Sequence, residues 1–221
     1  MNLKVWIDHY LWQGVDHIYL IDNGSTDTSL EIIDELQKQN YPITLYNLTE
    51  RYAQIKHQKT VYDKECLKEK TKWLIIADLD EFFYCHNSKL NVMLKNYEDV
   101  IVIYSNWRLF GSNGLVKHPA DIRQAITNRE PHEHHNTKYI FQTKQIDSCN
   151  LSIHDITNRD NLKTATLSDI FRLNHYVIQS KEYYATVKMT RGDADNPNLD
   201  HFRDWNYFHR NAIHTKYEDN D

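Results

Sequence analysis

The amino-acid sequence predicts an α/β domain built around a mainly parallel sheet. In the first half of the chain, apolar runs alternate with amphipathic or mixed segments four times, which is the pattern of strand–helix units. The apolar runs are continuous, as expected for parallel strands that are buried on both faces. The chain has 221 residues, of which 40% are hydrophobic, and this suits one domain spanning residues 1–221.

The elements of the first half follow from apolar spacing and from turn residues. A helix is expected over residues 3–13, with Gly14 as its stop, and another around Ile32, Ile33 and Leu36. Further helices are expected over residues 52–70 and 90–97. The four strands are expected at residues 17–21, 42–48, 73–77 and 100–104.

The second half of the chain carries weaker signals. Residues 105–169 are polar and rich in histidine, and are expected to form a long functional or mobile loop. A strand over residues 170–178, a helix over residues 180–190 and an amphipathic helical tail over residues 198–217 complete the expected order.

Composition and charge exclude several classes of protein. With 31 acidic and 26 basic residues, the net charge is -5, which argues against a non-specific nucleic-acid partner. No apolar run approaches the ~20 residues of a membrane span, and the N-terminus does not resemble a signal peptide. Cys66, Cys85 and Cys149 are odd in number and widely spaced, which argues against a disulfide scaffold. We therefore expect a cytoplasmic protein without a membrane span.

The strongest chemical signal is the pair Asp78 and Asp80, directly after the most apolar of the expected strands. In open α/β sheets, ligands bind at this end of the strands. Carboxylates spaced in this way can hold Mg²⁺ or Mn²⁺, which commonly bridges the phosphates of a substrate. The alternative is a pair of solvated acids that cap the next element.

A second polar segment, D-N-G-S-T-D at residues 22–27, follows the first expected strand. An acid such as Asp22 at a strand end, followed by a turn that opens a helix, can receive the ribose or base of a nucleotide. An ordinary junction in which Ser25 or Asp27 caps the helix explains the same pattern.

Motifs at four places along the chain together are typical of one enzyme group. They are W-I-D-H-Y with G-V-D-H-I-Y (residues 6–19), A-D-L-D-E-F (77–82), N-W-R-L-F-G-S-N-G (106–114) and N-H-Y-V-I-Q-S-K-E-Y with a later K and R-G (174–192). From about residue 5 to residue 192 the chain thus resembles the GT-A glycosyltransferases, and more narrowly the family-2-like group that includes glycosyltransferase family 92. The resemblance implies a three-layer α/β/α sandwich. It also implies metal-dependent transfer of a sugar from a nucleotide donor to a glycan or other hydroxyl acceptor, with inversion at the sugar carbon. A UDP-sugar is the donor that the resemblance favours.

The same resemblance implies roles for individual residues. Asp80 would be the main ligand of Mn²⁺ or Mg²⁺, Asp78 would face the ribose or the metal, and His175 would complete the metal site. Contacts to the nucleotide-sugar would come from Asp22, Asn23, Ser25, Asp78, Lys188 and Arg191. Each role has a plainer alternative, since His175 could be a core histidine and the two basic residues a solvated face.

On the acceptor side, the resemblance points to Trp107, Phe110 and Gly111, because aromatic faces stack on sugar rings and glycine permits close approach. Core packing would explain Trp107 equally well. No motif selects the catalytic base, for which Asp121, Glu133, Asp147 and Asp155 are the weak candidates. The H-E-H-H run at residues 132–135 is expected to be a polar loop, since it lacks the second half of a structural zinc site.

The chain departs from the family pattern at its start. The family normally has a strand with a K-N-E-like motif before the W-I-x-Y-H helix, and the chain is expected to lack this strand. An upstream start, a trimmed enzyme and a domain that has lost donor binding all remain open. The missing strand also motivates one alternative, a non-catalytic domain that binds a sugar or partner. A second alternative arises because D-x-D after an apolar strand also resembles the motif of haloacid-dehalogenase-type phosphatases, with Asp78 as nucleophile, and it is less favoured because of Phe82. The oligomeric state is left open.

Overall fold

The computed structural model describes residues 2–193, 195–199 and 203–219. The helices are α1 (Leu3–Trp12), α2 (Ser29–Lys38), α3 (Gln54–Lys64), α4 (Leu67–Lys70), α5 (Leu90–Met93), α6 (Ile122–Ala125), α7 (Lys181–Tyr183) and α8 (Trp205–His214). The strands are β1 (Ile18–Asp22), β2 (Ile43–Asn47), β3 (Trp73–Ile75), β4 (Glu81–Cys85), β5 (Val102–Phe110), β6 (Asn128–Arg129), β7 (Thr137–Gln142), β8 (Thr164–Thr166), β9 (Phe171–Tyr176) and β10 (Tyr217–Glu218). A π-helical segment, Tyr184–Lys188, follows α7.

The strands form a mixed sheet, so the prediction of a mainly parallel sheet is wrong. Strands β1 and β2 pair in parallel as a two-stranded sheet, and β5 is the hub of an eight-stranded sheet. Strand β5 is parallel to β8 and β9 but antiparallel to β6 and β7, while the pairs β3–β7, β4–β9 and β6–β10 are antiparallel. Parallel neighbours need long, usually helical crossovers. Between β5 and β9, where every residue is described, the only α-helix is the four-residue α6. The first two strands of this segment, β6 and β7, both run antiparallel to β5.

Expected elements of the first half are confirmed where the apolar pattern is long. Helix α1 and strands β1, β2 and β3 begin within one residue of the expected starts. The helix expected over residues 52–70 is broken, because Cys66 adopts a left-handed conformation with φ 52° between α3 and α4. Strand β5 continues to Phe110, beyond its expected end at residue 104.

The long loop expected over residues 105–169 is wrong, because the segment contains the end of β5 and all of β6, β7 and β8. These strands are short and flanked by polar residues, so their apolar pattern is weak. Of the tail expected to be helical over residues 198–217, residues 200–202 lie outside the described part of the chain. Helix α8 covers Trp205–His214.

Helix α1 fixes the segment that carries the two aspartates. The indole Nε1 of Trp6 donates to the backbone oxygens of Asp78 at 2.9 Å and Glu81 at 3.0 Å. The hydroxyl of Tyr10 donates to the Glu81 oxygen and accepts from the Phe83 amide, both at 3.1 Å. The Glu81 oxygen and the Phe83 amide are buried, so these bonds satisfy backbone groups that have no access to water. The W-I-x-Y-H motif therefore positions the A-D-L-D-E-F motif.

The main core lies between α1 and the sheet, where Ile7, Phe83 and Ile103 have no exposed surface. Burying a side chain of this size contributes roughly 1.5–3 kcal/mol. A smaller apolar cluster, which includes Tyr184 and Phe208, joins the π-helical segment to α8. Among the described helices, none combines the length and the hydropathy that crossing a bilayer requires.

Candidate functional site

One large cavity, of about 2210 Å³, brings most of the expected site residues together. It lies beside β1, β3 and the π-helical segment that ends at Lys188. The expected residues that line it are Asp22, Asn23, Ser25, Asp78, Asp80, Trp107, His175, Lys188 and Arg191. These residues come from distant parts of the chain, and the tertiary fold brings them together.

Two expected acceptor residues lie elsewhere in the structure. Phe110 is 3% exposed and packs in the core, with its ring centroid 4.9 Å from that of Tyr176. A Cβ atom on Gly111 would lie 1.8 Å from the Thr215 Oγ1, so this glycine allows the segment after α8 to pack closely. The structure therefore gives both residues packing roles and does not place them on the cavity wall that it describes.

Asp80 lies in the short connection between β3 and β4 and is only 6% exposed. The ammonium of Lys188 donates to its Oδ2, and the Nε2 of His175 lies 3.5 Å from the same oxygen. Burial acts to raise the pKa of Asp80, but the positive charge of Lys188 and the adjacent imidazole outweigh it and hold the pKa well below its usual value. Asp80 is therefore an ionised carboxylate with a buried counter-ion.

Asp78 is held by side chains that the sequence did not single out. Lys138, from β7, places its Nζ 3.0 Å from the Asp78 Oδ2, and Gln54 donates to the Oδ1 at 2.9 Å. Burial acts to raise the pKa of Asp78, but Lys138 outweighs it and keeps the pKa below the usual value. The carboxylate still has 40% of its side-chain surface exposed at the cavity. It can therefore meet a ligand without losing its counter-ion.

Glu81 is a buried carboxyl group that contacts both Lys138 and Asp78. Its Oε2 lies 3.4 Å from the Lys138 Nζ and accepts a hydrogen bond from the Asp78 amide at 3.0 Å. Its Oε1 is buried and has no hydrogen-bond partner among the described residues. Burial outweighs the attraction of Lys138 and raises the pKa of Glu81 to about 7. In the β4–β9 ladder, Glu81 is directly opposite His175.

The segment D-N-G-S-T-D forms an exposed turn at the end of β1. The Asp22 carboxylate accepts from the Gly24 amide at 3.0 Å and from the Ser25 amide at 3.2 Å. The Asn23 side chain donates to the Glu50 carbonyl at 3.0 Å. Helix α2 follows with Thr28 at the N-cap position, and the Asp27 Oδ1 accepts from the Ser29 amide at 3.0 Å, whereas Ser25 does not cap the helix. The residues of this turn line the same cavity as Asp78. The structure is therefore compatible with a nucleotide contact at this segment and also with an ordinary turn before a helix.

Trp107, on β5, is surrounded by three imidazoles. Its ring centroid lies 4.3 Å from that of His175, 5.1 Å from that of His154 and 5.8 Å from that of His134. His134 belongs to the H-E-H-H run and stacks on the indole, with an interplanar angle of 24°. The cluster of Trp107, His134, His154 and His175 lines the cavity beside the aspartates.

The four carboxylates considered as the base are not part of the cavity wall in the described chain. Asp155 binds the Tyr104 hydroxyl and Arg159, Asp121 pairs with Arg123 at 2.6 Å, and Asp147 pairs with Lys68 at 2.5 Å. Glu133 is exposed. Three of the four are thus engaged in ion pairs.

Sequence reasoning missed Lys138, Glu81, Gln54, His134 and His154. For Lys138 a signal existed, since a single lysine precedes the apolar run Y-I-F at residues 139–141. A lysine placed in a buried strand requires a carboxylate partner. Nothing in the sequence distinguishes His154 from the other 12 of the 13 histidines.

The donor atoms at Asp80 suit a divalent cation that is shared with a substrate. Asp80 and His175 offer one carboxylate and one imidazole, and no cluster of three or more metal-ligating side chains occurs among the described residues. Mg²⁺ is commonly held by one or two carboxylates together with substrate phosphates, so these residues fit such an ion. Lys188 already binds the Asp80 Oδ2, so a cation held at that oxygen would compete with the ammonium.

Two relatives found in comparisons with known proteins carry the name of the family that the sequence motifs resemble. A glycosyltransferase family 92 protein of Ricinus communis is 32% identical over 133 residues, covering 53% of this chain and 22% of the relative. Another, from Arabidopsis thaliana, is 25% identical over 196 residues, covering 80% of this chain and 33% of the relative. The matches thus span a third or less of each relative's length. The crystal structure of A197 from STIV superposes with a TM-score of 0.38 at 13% identity, covering 72% of this chain and 84% of that one.

The sequence profile described as glycosyltransferase family 92 matches residues 1–219, which is nearly the entire chain. The chain belongs to glycosyltransferase family 92.

Proposed function

We propose that this chain transfers a sugar from a nucleoside-diphosphate donor, with UDP-sugars as the first expectation, to a hydroxyl group of a glycan-type acceptor. Membership of family 92 supports sugar transfer. The observation that carries the finer proposal is the pair Asp78 and Asp80, which lies on one cavity with Lys188, His175 and Trp107. The reaction would invert the configuration at the sugar carbon.

At the donor end, the site contains matched charges of opposite sign. Lys188 neutralises Asp80 in the free protein. A diphosphate that entered the cavity would offer the ammonium new oxygen partners, and charge-assisted hydrogen bonds of this kind are strong. Lys188 would then stabilise the charge that grows on the leaving diphosphate.

Asp80 and His175 would be the side chains that hold Mn²⁺ or Mg²⁺ at this site. The ion would supply further positive charge to the leaving diphosphate. Asp78 keeps its counter-ion Lys138 and faces the cavity with an exposed carboxylate edge. This arrangement suits a hydrogen bond from a ribose hydroxyl to Asp78.

At the acceptor end, Trp107 offers the aromatic surface. A sugar ring can pack on an indole face, and the neighbouring imidazoles of His134 and His154 provide polar atoms for its hydroxyls. Trp107 therefore remains our choice for the acceptor platform, whereas Phe110 and Gly111 have packing roles.

Calorimetric titration of the 221-residue chain with UDP, GDP and CDP, each with and without Mn²⁺, tests the proposal. We expect one nucleotide to bind in a Mn²⁺-dependent manner. Asp80→Asn should weaken this binding about tenfold to a hundredfold, the equivalent of one charge-assisted contact. The control is Asp34→Asn, since Asp34 pairs with Lys38 on an exposed helix face.

Absence of binding to a folded wild-type chain would contradict the proposal. Binding without any turnover of a nucleotide-sugar would instead favour a non-catalytic domain, in which the Asp80–Lys188 pair is a structural contact.

A further inference from the structure

The backbone contacts of His154 fix which of its ring nitrogens carries the proton. Its Nδ1 lies 3.0 Å from the Thr137 carbonyl oxygen. A carbonyl oxygen can only accept a hydrogen bond, so Nδ1 must be the protonated donor. In the neutral ring, Nε2 therefore keeps a lone pair, and no hydrogen bond joins it to the described residues.

The loop that carries His154 is held in place at the same point. The Thr137 hydroxyl donates to the His154 backbone oxygen at 3.1 Å, so the two residues exchange two hydrogen bonds. The Tyr139 hydroxyl donates to the Ser152 oxygen at 2.5 Å. Strand β7 therefore fixes both the backbone and the ring of His154, as the positioning of a reactive group requires.

The other two imidazoles around Trp107 offer no free accepting nitrogen to the cavity. The Nδ1 of His134 accepts from the Asn136 amide at 3.1 Å, so its Nε2 carries the proton when the ring is neutral. The Nε2 of His175 faces the Asp80 carboxylate at 3.5 Å, and its Nδ1 is buried. Within the described cluster, only His154 has an accepting nitrogen that is both unbonded and not enclosed by the core.

The carboxylates beside the cluster are already engaged. Asp78 and Asp80 each bind a lysine, and Glu81 is fully buried. A base for an acceptor hydroxyl must lie within hydrogen-bond reach of a substrate bound in the cavity. His154 lines the cavity and has its ring edge-on to Trp107, with an interplanar angle of 80°.

We infer that His154 is the catalytic base of the transfer reaction, an assignment that rests on the proposed function. The hydroxyl proton of the acceptor moves to Nε2 of His154 while the acceptor oxygen forms a bond to the anomeric carbon of the donor. The bond from that carbon to the diphosphate oxygen breaks, and its electron pair leaves with the nucleoside diphosphate. The imidazolium then releases its proton to water.

The surroundings of His154 keep the ring ready to accept a proton. Burial lowers its pKa, and the positive charge of Lys138 lowers it further. The hydrogen bond to Thr137 and the charge of Asp78 act in the opposite direction, and His175 adds a small lowering effect. The net result is a neutral imidazole at neutral pH, which is the form that a base requires.

The test compares His154→Asn with wild type in transfer to hydroxyl acceptors and to azide ion. Asparagine can still donate to the Thr137 oxygen but offers no basic nitrogen, and His154→Gln serves as the second variant. The donor would come from a panel of UDP-, GDP- and CDP-sugars, and the acceptors from a panel of mono- and disaccharides. The release of nucleoside diphosphate is measured in each case. His132→Asn is the control, because His132 is exposed and lies in the loop outside the cavity.

We expect His154→Asn to transfer sugar to hydroxyl acceptors about 10²- to 10⁴-fold more slowly, the range for loss of a general base. Nucleotide binding should stay within about twofold of wild type. Azide is already an anion and needs no base, so it should restore nucleotide release and yield a glycosyl azide that mass spectrometry detects. His132→Asn should behave as wild type.

The outcomes separate this inference from the proposed function. Wild-type rates in His154→Asn and His154→Gln would overturn the inference and leave the proposed function intact. Slow transfer without azide rescue would also overturn it, because His154 would then act on something other than the proton. A folded wild type that turns over no donor in the panel would overturn both.

Discussion

Replacing Lys138 with methionine should expose how strongly the buried charges at the site depend on one another. The Lys138 side chain has no exposed surface, and its ammonium is the counter-ion of both Asp78 and Glu81. Breaking a buried ion pair by removal of one partner costs roughly 3–5 kcal/mol, because a charge is left without compensation. The free energy of unfolding of Lys138→Met should therefore fall by about this amount at pH 9.

The loss of stability in Lys138→Met should depend on pH, because a buried Glu81 without its counter-ion can take up a proton and become neutral. In wild type, burial raises the pKa of Glu81 to about 7, above its ordinary value of 4.5. A carboxyl group whose pKa is raised in the folded state contributes stability at low pH that is lost as pH rises through that pKa. Loss of Lys138 should raise the Glu81 pKa further. Each additional unit would add about 1.4 kcal/mol to the cost once Glu81 is ionised.

Urea unfolding of wild type and Lys138→Met at pH 6 and pH 9 measures the effect, provided that the m-value is unchanged. The double variant Lys138→Met with Glu81→Gln should recover most of the difference between the two pH values, because glutamine cannot ionise. Equal costs at both pH values, or no recovery in the double variant, would refute the reasoning.

Two further predictions concern charges away from the cavity. Burial lowers the pKa of His9 to about 4, so about 3 kcal/mol of stability should be present above pH 6.5 and lost as pH falls towards 4. In His9→Gln, the free energy of unfolding in urea should depend less on pH between 4 and 6.5. The same pH dependence as in wild type would contradict this prediction. Asp219 binds the buried Arg108 at 2.8 Å, so Asp219→Ala should cost roughly 3–5 kcal/mol, whereas the exposed Asp34→Ala should cost at most about 0.5 kcal/mol. A small effect at Asp219 would show that the other contacts of Arg108, among them the Tyr84 hydroxyl, compensate its charge.

The parts of the fold that sequence predicts well are those with a long local signal. Helix α1 and strand β3 each follow from a run of apolar residues with clear stops. Strands β1 and β2 are parallel as predicted, but most other neighbouring strands are antiparallel. An apolar run is the same whether its neighbour runs parallel or antiparallel to it. Strand direction depends on the segments that connect the strands. The sequence between β5 and β9 shows no pattern from which helical connections could be predicted.

The site could be predicted only where its residues stand in motifs. Asp78 and Asp80 stand out because two acids directly follow an apolar strand. Their counter-ions could not be found in this way, since the partner of a buried charge is set by tertiary packing. For the same reason, a sequence cannot show that a backbone carbonyl fixes the tautomer of His154.

The ion pairs of the site also affect how the chain folds. Lys138 lies 60 residues after Asp78, and Lys188 lies 108 residues after Asp80. Closing loops of this length costs entropy and is a feature of slowly folding chains. During synthesis, the segment from Asp78 to Glu81 emerges well before either lysine, so its three acids repel one another and remain solvated. Burial of this segment therefore has to wait for the C-terminal half, and any truncation before Lys188 leaves Asp80 without its ammonium partner.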